Sequence, residues 1–160
     1  MATLTLYPTS HTGSWSNGAN AMNSTSSYAS TTSQSHVYHY YSSFKITDNI
    51  PAGSLITQLY CYASFVSDTS SNWGYGMVGR ISGVDQGSYT QWVGTRTNAS
   101  DSRTYSSGDL LNLDNLTDAK FSIKIGGNRG GSSYAGLRQV YVTITYVETK
   151  GVGLEMGCVF

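Results

Sequence analysis

Charge is scarce in this 160-residue chain: nine Lys and Arg balance nine Asp and Glu, and together they make up 11% of it. A nucleic-acid partner needs a basic stripe to neutralise phosphates, and none is present. Cysteine is confined to Cys61 and Cys158, too few and too far apart for a disulfide framework. Both read as unpaired thiols, with Cys61 placed inside a strand pattern as a small apolar residue. No apolar run approaches the roughly 18 residues that a membrane helix needs. The opening Met1-Ala2-Thr3-Leu4 has neither the basic nor the apolar region of a secretory signal, so none is expected. Missing too is any 3.6-residue hydrophobic period, which excludes a helical core.

What the chain has is tyrosine, glycine and hydroxyls. There are 13 Tyr, 3 Trp, 4 Phe and 18 Gly among abundant Ser and Thr. Thr and Tyr suit a pleated surface, whereas Ser, Gly and Asn suit turns. Short period-two segments recur. Thr3 to Tyr7 alternates before Pro8, and Val37 to Ile46 carries Tyr38, Tyr40, Phe44 and Ile46 on one face. Leu55 to Val66 is the longest strand, with Leu59, Cys61, Ala63 and Phe65 inward and Gln58, Tyr60, Tyr62 and Ser64 outward. Tyr75 to Ile81 and Tyr89 to Val93 read as paired strands. Phe121, Ile123 and Ile125 alternate, as do Val140, Val142, Ile144 and Tyr146, with Tyr141, Thr143 and Thr145 turned outward. Leu110 to Asp118 reads as a 3₁₀ turn, and residues 94–108 as polar loop. The expected fold is all-β, an antiparallel β-sandwich of jelly-roll type. It forms one domain over 1–150, with a long arm or loop at about 8–36 lying on its body. A tail, 151–160, places Val152, Leu154, Met156 and Phe160 among glycines, as an extra strand or an attachment segment.

Chemistry-bearing patterns are few. His36 and His39 are three apart on a strand and so point to opposite faces, the wrong geometry for a shared metal. His11 has no acid near it in sequence. Asp109, Asp114 and Asp118 sit around the Leu-rich turn, where Asp caps and turns, and no calcium-loop spacing accompanies them. The two glutamates, Glu148 and Glu155, are a poor pair for glycoside hydrolysis. The groupings Gly74-Tyr75-Gly76 and Gly126 to Gly131 lack the Lys-Ser/Thr that completes a phosphate loop. The expectation is no catalytic site, no cofactor and no metal. Trp73, Tyr75, Tyr89 and Trp92 fall in one region beside Asn72, Arg80 and Gln91. They are the candidate platform, for a protein interface or for sugar stacking, with core packing the plainer reading.

The order of these segments resembles a family. Trp15-Ser16-Asn17, Tyr28-Ala29-Ser30 and a strand ending in Phe44 lead into Ile50-Pro51-Ala52-Gly53-Ser54-Leu55-Ile56-Thr57. Asp109-Leu110-Leu111-Asn112, Phe121-Ser122-Ile123-Lys124-Ile125 and Val140-Tyr141-Val142-Thr143-Ile144-Thr145-Tyr146 follow. Over about 15–147 this pattern resembles the β-sandwich modules of tailed-bacteriophage virion proteins, the capsid decoration and tail accessory types. The resemblance implies a structural protein located in the virion, without catalysis. Its partners would be other virion proteins and further copies of itself. A carbohydrate-binding or receptor-binding module is the alternative, with a surface glycan as partner. The tail from Gly151 departs from the family pattern.

Overall fold

The segments that alternate most cleanly form the middle of the molecule. A computed structural model describes residues 1–23, 27–68, 72–94 and 97–149. In chain order the strands are β1 (Ala2–Leu6), β2 (Ser10–Gly13), β3 (Ala29–Thr31), β4 (Val37–Ser42) and β5 (Leu55–Ser67). They continue with β6 (Trp73–Ile81), β7 (Val84–Asp85), β8 (Trp92–Gly94), β9 (Asn98–Tyr105), β10 (Phe121–Asn128) and β11 (Ala135–Val147). Every pairing among them is antiparallel.

Two sheets result. One runs β1-β11-β5-β9 with β3 also on β11; the other runs β2-β4-β10-β6-β7 with β8 also on β6. Setting aside the short β2, β3 and β7, eight strands remain. Their order is first, eighth, third, sixth in one sheet and second, seventh, fourth, fifth in the other. That is the two-Greek-key order of a jelly roll, so the expected fold class is observed.

The core lies between the sheets and follows the period-two pattern. Leu59, Cys61, Ala63 and Phe65 of β5 meet Val140, Val142 and Ile144 of β11, and face Ile123, Ile125 and Met77 of the other sheet. Cys61 is a free, buried thiol, and burial pushes its ionisation up, so it is an inert core residue. Phe44, Ile46 and Phe121 close one end, with Phe44 and Phe121 rings 5.4 Å apart.

Three segments differ from the reading of the sequence. In β4 it is His39 and Tyr41 that point inward, with Tyr38 and Tyr40 outward. Phe44 and Ile46 nonetheless reach the core, because Ser43 and Lys45 take left-handed φ of 57° each and reset the parity. The strand ends there, and Ile46–Asn49 forms a single helical turn. Residues 98–105, expected as loop, form β9 along the edge of β5. Its inward side carries Asp101, Arg103 and Tyr105 in place of aliphatics, so hydrophobic alternation does not reveal it. The stretch at 8–36 contributes β2 to one sheet and β3 to the other, with a 3₁₀ turn at Gly18–Ala21 between them.

Candidate functional site

The outward positions of β1, β11, β5 and β9 form one flat face. Register places Tyr62 between Tyr141 and Ser102, and Tyr60 between Thr143 and Thr104. Thr5 pairs with Thr143 and Thr3 with Thr145, hydroxyl to hydroxyl at 3.0 and 3.5 Å. Gln58, Ser64 and Gln139 occupy further outward positions of β5 and β11, and the exposed Arg138 stands at the bulge beside Gln139. Apart from Arg138, no Asp, Glu, Lys or Arg occupies an exposed position of these four strands.

Four tyrosines make the centre of this face. Tyr62 and Tyr141 stack at 4.8 Å and 26°, and Tyr60 lies 6.4 Å from each of them. Tyr7, just beyond β1 and 40% exposed, packs on Tyr141 at 5.9 Å. Partial burial, and then the neighbouring phenols of Tyr60, Tyr62 and Tyr7, push the Tyr141 ionisation up. Tyr141 is therefore neutral across the physiological range. The patch offers ring faces, hydroxyls and amides and no ion to desolvate. Parity in β5 and β11 puts these side chains outward in the sequence, but only the register brings the four rings together.

The outer face of the opposite sheet is different in kind. Lys124 lies 4.4 Å above the Tyr38 ring and 5.1 Å from that of Tyr89, and pairs with Asp85 at 2.8 Å. Arg80 joins the same carboxylate at 2.6 Å and rests over Tyr40. The Tyr89 ring crosses Gly76 and Gly126, where any Cβ would collide with it, and its hydroxyl meets His36 Nε2 at 2.6 Å. These charges are already partnered within the chain.

No family model matches this chain, and no curated protein matches it. Similar solved structures include a carbohydrate-binding module, TmCBM61, in complex with β-1,4-galactotriose. It has 10% identity and a TM-score of 0.42 over 85% of this chain and 89% of that one. Two structures of tobacco streak virus coat protein are also similar. One has 14% identity and a TM-score of 0.37 over 92% of this chain and 96% of that one; the other, a dimer, has 18% and 0.35 over 93% and 94%.

The four aromatic residues singled out in the sequence do not share one surface. Trp73 is wholly buried, packed on Tyr75 at 5.0 Å and pressed against Gly94. Tyr75 faces inward and touches Phe65 at 5.0 Å. Tyr89 lies outside the other sheet, as described above. Trp92 pairs with Tyr75 in register but stands at the edge, 47% exposed. Val152, Leu154, Met156 and Phe160 lie outside the described residues.

Sequence reading also passed over the residues that close this edge. Strand β6 is flanked by β8 at Trp73–Tyr75 and by β7 at Arg80 and Ile81, so Gly76–Gly79 have no strand on that side. Side chains of β9, in the other sheet, fill the gap. Met77 N–H donates to Asp101 Oδ2 at 3.0 Å, and Gly79 N–H donates to Tyr105 Oη at 3.0 Å. Asp101 also accepts from Ser102 N–H at 2.9 Å. Among the described residues, no group of three or more His, Cys, Asp and Glu is placed to hold a metal ion. An open depression of about 610 Å³ beside the 3₁₀ turns is lined by Leu55, Ile56, Leu111 and Leu113, with Asp114 its one ionisable residue. Among the described residues, no helix is long and apolar enough to cross a membrane.

Proposed function

We propose that this protein is a non-enzymatic structural subunit of a bacteriophage particle, an auxiliary or decoration protein. It binds other virion proteins through the outer face of the β1-β11-β5-β9 sheet. The observation that carries this reading is the neutral patch of Tyr7, Tyr60, Tyr62 and Tyr141 framed by threonines. Tyrosine gives large contact area at low entropic cost, and a surface without ions is buried without the penalty of desolvating charge. The jelly-roll order of strands and the resemblance of the sequence to phage sandwich modules support it at the level of fold and pattern.

A second reading, carbohydrate binding, draws on one feature of the same patch. The rings of Tyr60, Tyr62 and Tyr141 lie within 26° of parallel in two of their three contacts, as stacking on a sugar chain requires. The double variant Tyr62→Ala, Tyr141→Ala separates the two. The first reading expects particle occupancy to fall at least about tenfold, a hot-spot loss, while the melting temperature moves by only a few degrees. Full occupancy with lost retention on a polysaccharide gel favours the second. Full occupancy and full retention remove the face from both.

A further inference from the structure

Beneath a stretch that bridges the two sheets lies a pair of histidines. His11 of β2 and His39 of β4 stack with ring centroids 5.2 Å apart and 23° between planes, and His11 Nδ1 meets His39 Nε2 at 3.1 Å. His39 is 1% exposed. The Trp15 backbone N–H donates to His39 Nδ1 at 3.3 Å. That donor makes Nδ1 an acceptor, so the neutral His39 ring carries its proton on Nε2 and gives it to His11 Nδ1. The 3₁₀ turn at Gly18–Ala21 rests directly on the pair: a Cβ at Gly18 would overlap both rings, and Tyr41 Oη donates to the Gly18 carbonyl at 3.0 Å.

This arrangement works in one protonation state only. A proton on His39 Nδ1 faces the Trp15 N–H, donor against donor. A proton on His11 Nδ1 faces the His39 Nε2–H in the same way. Either event also places a cation in a site where nothing among the described residues balances it. Each neighbouring element can be checked for a counter-charge. On β2 the titratable group is His11 itself, and the 3₁₀ turn carries none. On β4 it is Tyr41, whose phenol burial pushes up. On β10, Ile125 stands opposite His39, and Lys124 lies on the outer face.

We infer that the His11–His39 pair is an acid-sensitive latch on residues 10–23 and 27–31, which it holds against both sheets at neutral pH and lets go when either ring is protonated. The latched segment bridges the two sheets, through β2 on β4, β3 on β11 and the Ser16–Ser30 bridge. Its release uncovers Trp15 and Tyr41, both buried in the closed form. Burial first, and the charge of His11 second, hold the His39 ionisation down to about 4. Because that lies below the ordinary histidine value of about 6.5, the unfolded or released segment takes up the proton before the latched one does. The latch is therefore complete above about pH 6.5 and is lost progressively as pH falls towards 4.

Hydrogen exchange, corrected for the intrinsic effect of pH, tests this on the full chain. Protection in residues 10–23 and 27–31 is expected to fall at least tenfold between pH 7 and 4.5, while 55–67 and 121–128 keep theirs. In the double variant His11→Gln, His39→Gln, whose amides each present an acceptor and a donor but take no proton, the selective loss disappears. An equal loss in wild type and variant overturns the latch, and so does an undiminished wild type. Should the variant fail to fold, the wild-type ring signals decide: a His39 titration midpoint at or above 6.5 overturns it.

Discussion

Trp73→Ala is expected to cost about 4 kcal/mol, whereas Trp92→Ala, nineteen residues on, costs about 1 kcal/mol. Trp73 has no exposed surface and packs on Tyr75, with its ring against the backbone of Gly94. Removing it empties a large volume between strands whose glycine cannot collapse inward to fill it. The total stability of a domain this size is about 5–15 kcal/mol, so the variant sits near its unfolding limit. Trp92 is half in solvent, and its truncation forfeits only the modest burial of its inner half. Urea denaturation followed by far-ultraviolet circular dichroism checks the contrast, and equal midpoints for the two variants would refute it. A ligand-binding assay on Trp73→Ala reports loss of fold, so Trp92→Ala is the informative substitution for any ligand at this edge.

The second large effect belongs to Asp101. Asp101→Ala strands the Met77 N–H in the gap between β7 and β8, and a buried donor without a partner costs about 2–3 kcal/mol. Asp101→Asn keeps an acceptor oxygen and loses about 1 kcal/mol. The difference between wild type and Asn depends on pH with a definite sign. Burial raises the Asp101 ionisation above the ordinary aspartate value, against the N–H donors of Met77 and Ser102 and the charge of Arg103. A raised carboxyl contributes stability that is complete below the unfolded pKa and is given up as pH rises through the folded one. The penalty for Asn is therefore larger at pH 3 than at pH 7. Denaturation midpoints at the two values decide it, and a penalty that grows towards neutrality contradicts the assignment.

Much of the sandwich is legible in the sequence, and the limits have physical causes. β5, β10 and β11 have mostly apolar inward positions and mostly polar or tyrosine outward ones, so period two gives their faces directly. β9 is invisible to that signal, because hydrogen bonding rather than hydrophobic burial holds Asp101 and Tyr105 inward. The parity of β4 depends on two left-handed residues, Ser43 and Lys45, and neither residue type announces that conformation. The His11–His39 contact joins strands 28 positions apart and exists only once β2 and β4 are in register. The tyrosine face is an intermediate case. The outward direction of Tyr60, Tyr62 and Tyr141 follows from alternation, but their adjacency is a property of pairing. The aromatic grouping at 73–92 shows the converse: closeness in sequence did not become a shared surface, since one ring fills the core and another crosses a pair of glycines on the far side.

The pairing of β1 with β11 sets a condition on biosynthesis. Ala2 lies opposite Tyr146, so β1 stays without its partner until β11, far behind it in the order of synthesis, has been made. Until residue 147 has emerged, the nascent chain holds Leu4 and Leu6 without their partner, along with the long edge of β5 that β11 later occupies. A message cut short before that point yields a sticky fragment rather than a smaller working protein, and synthesis of this chain is correspondingly all or nothing.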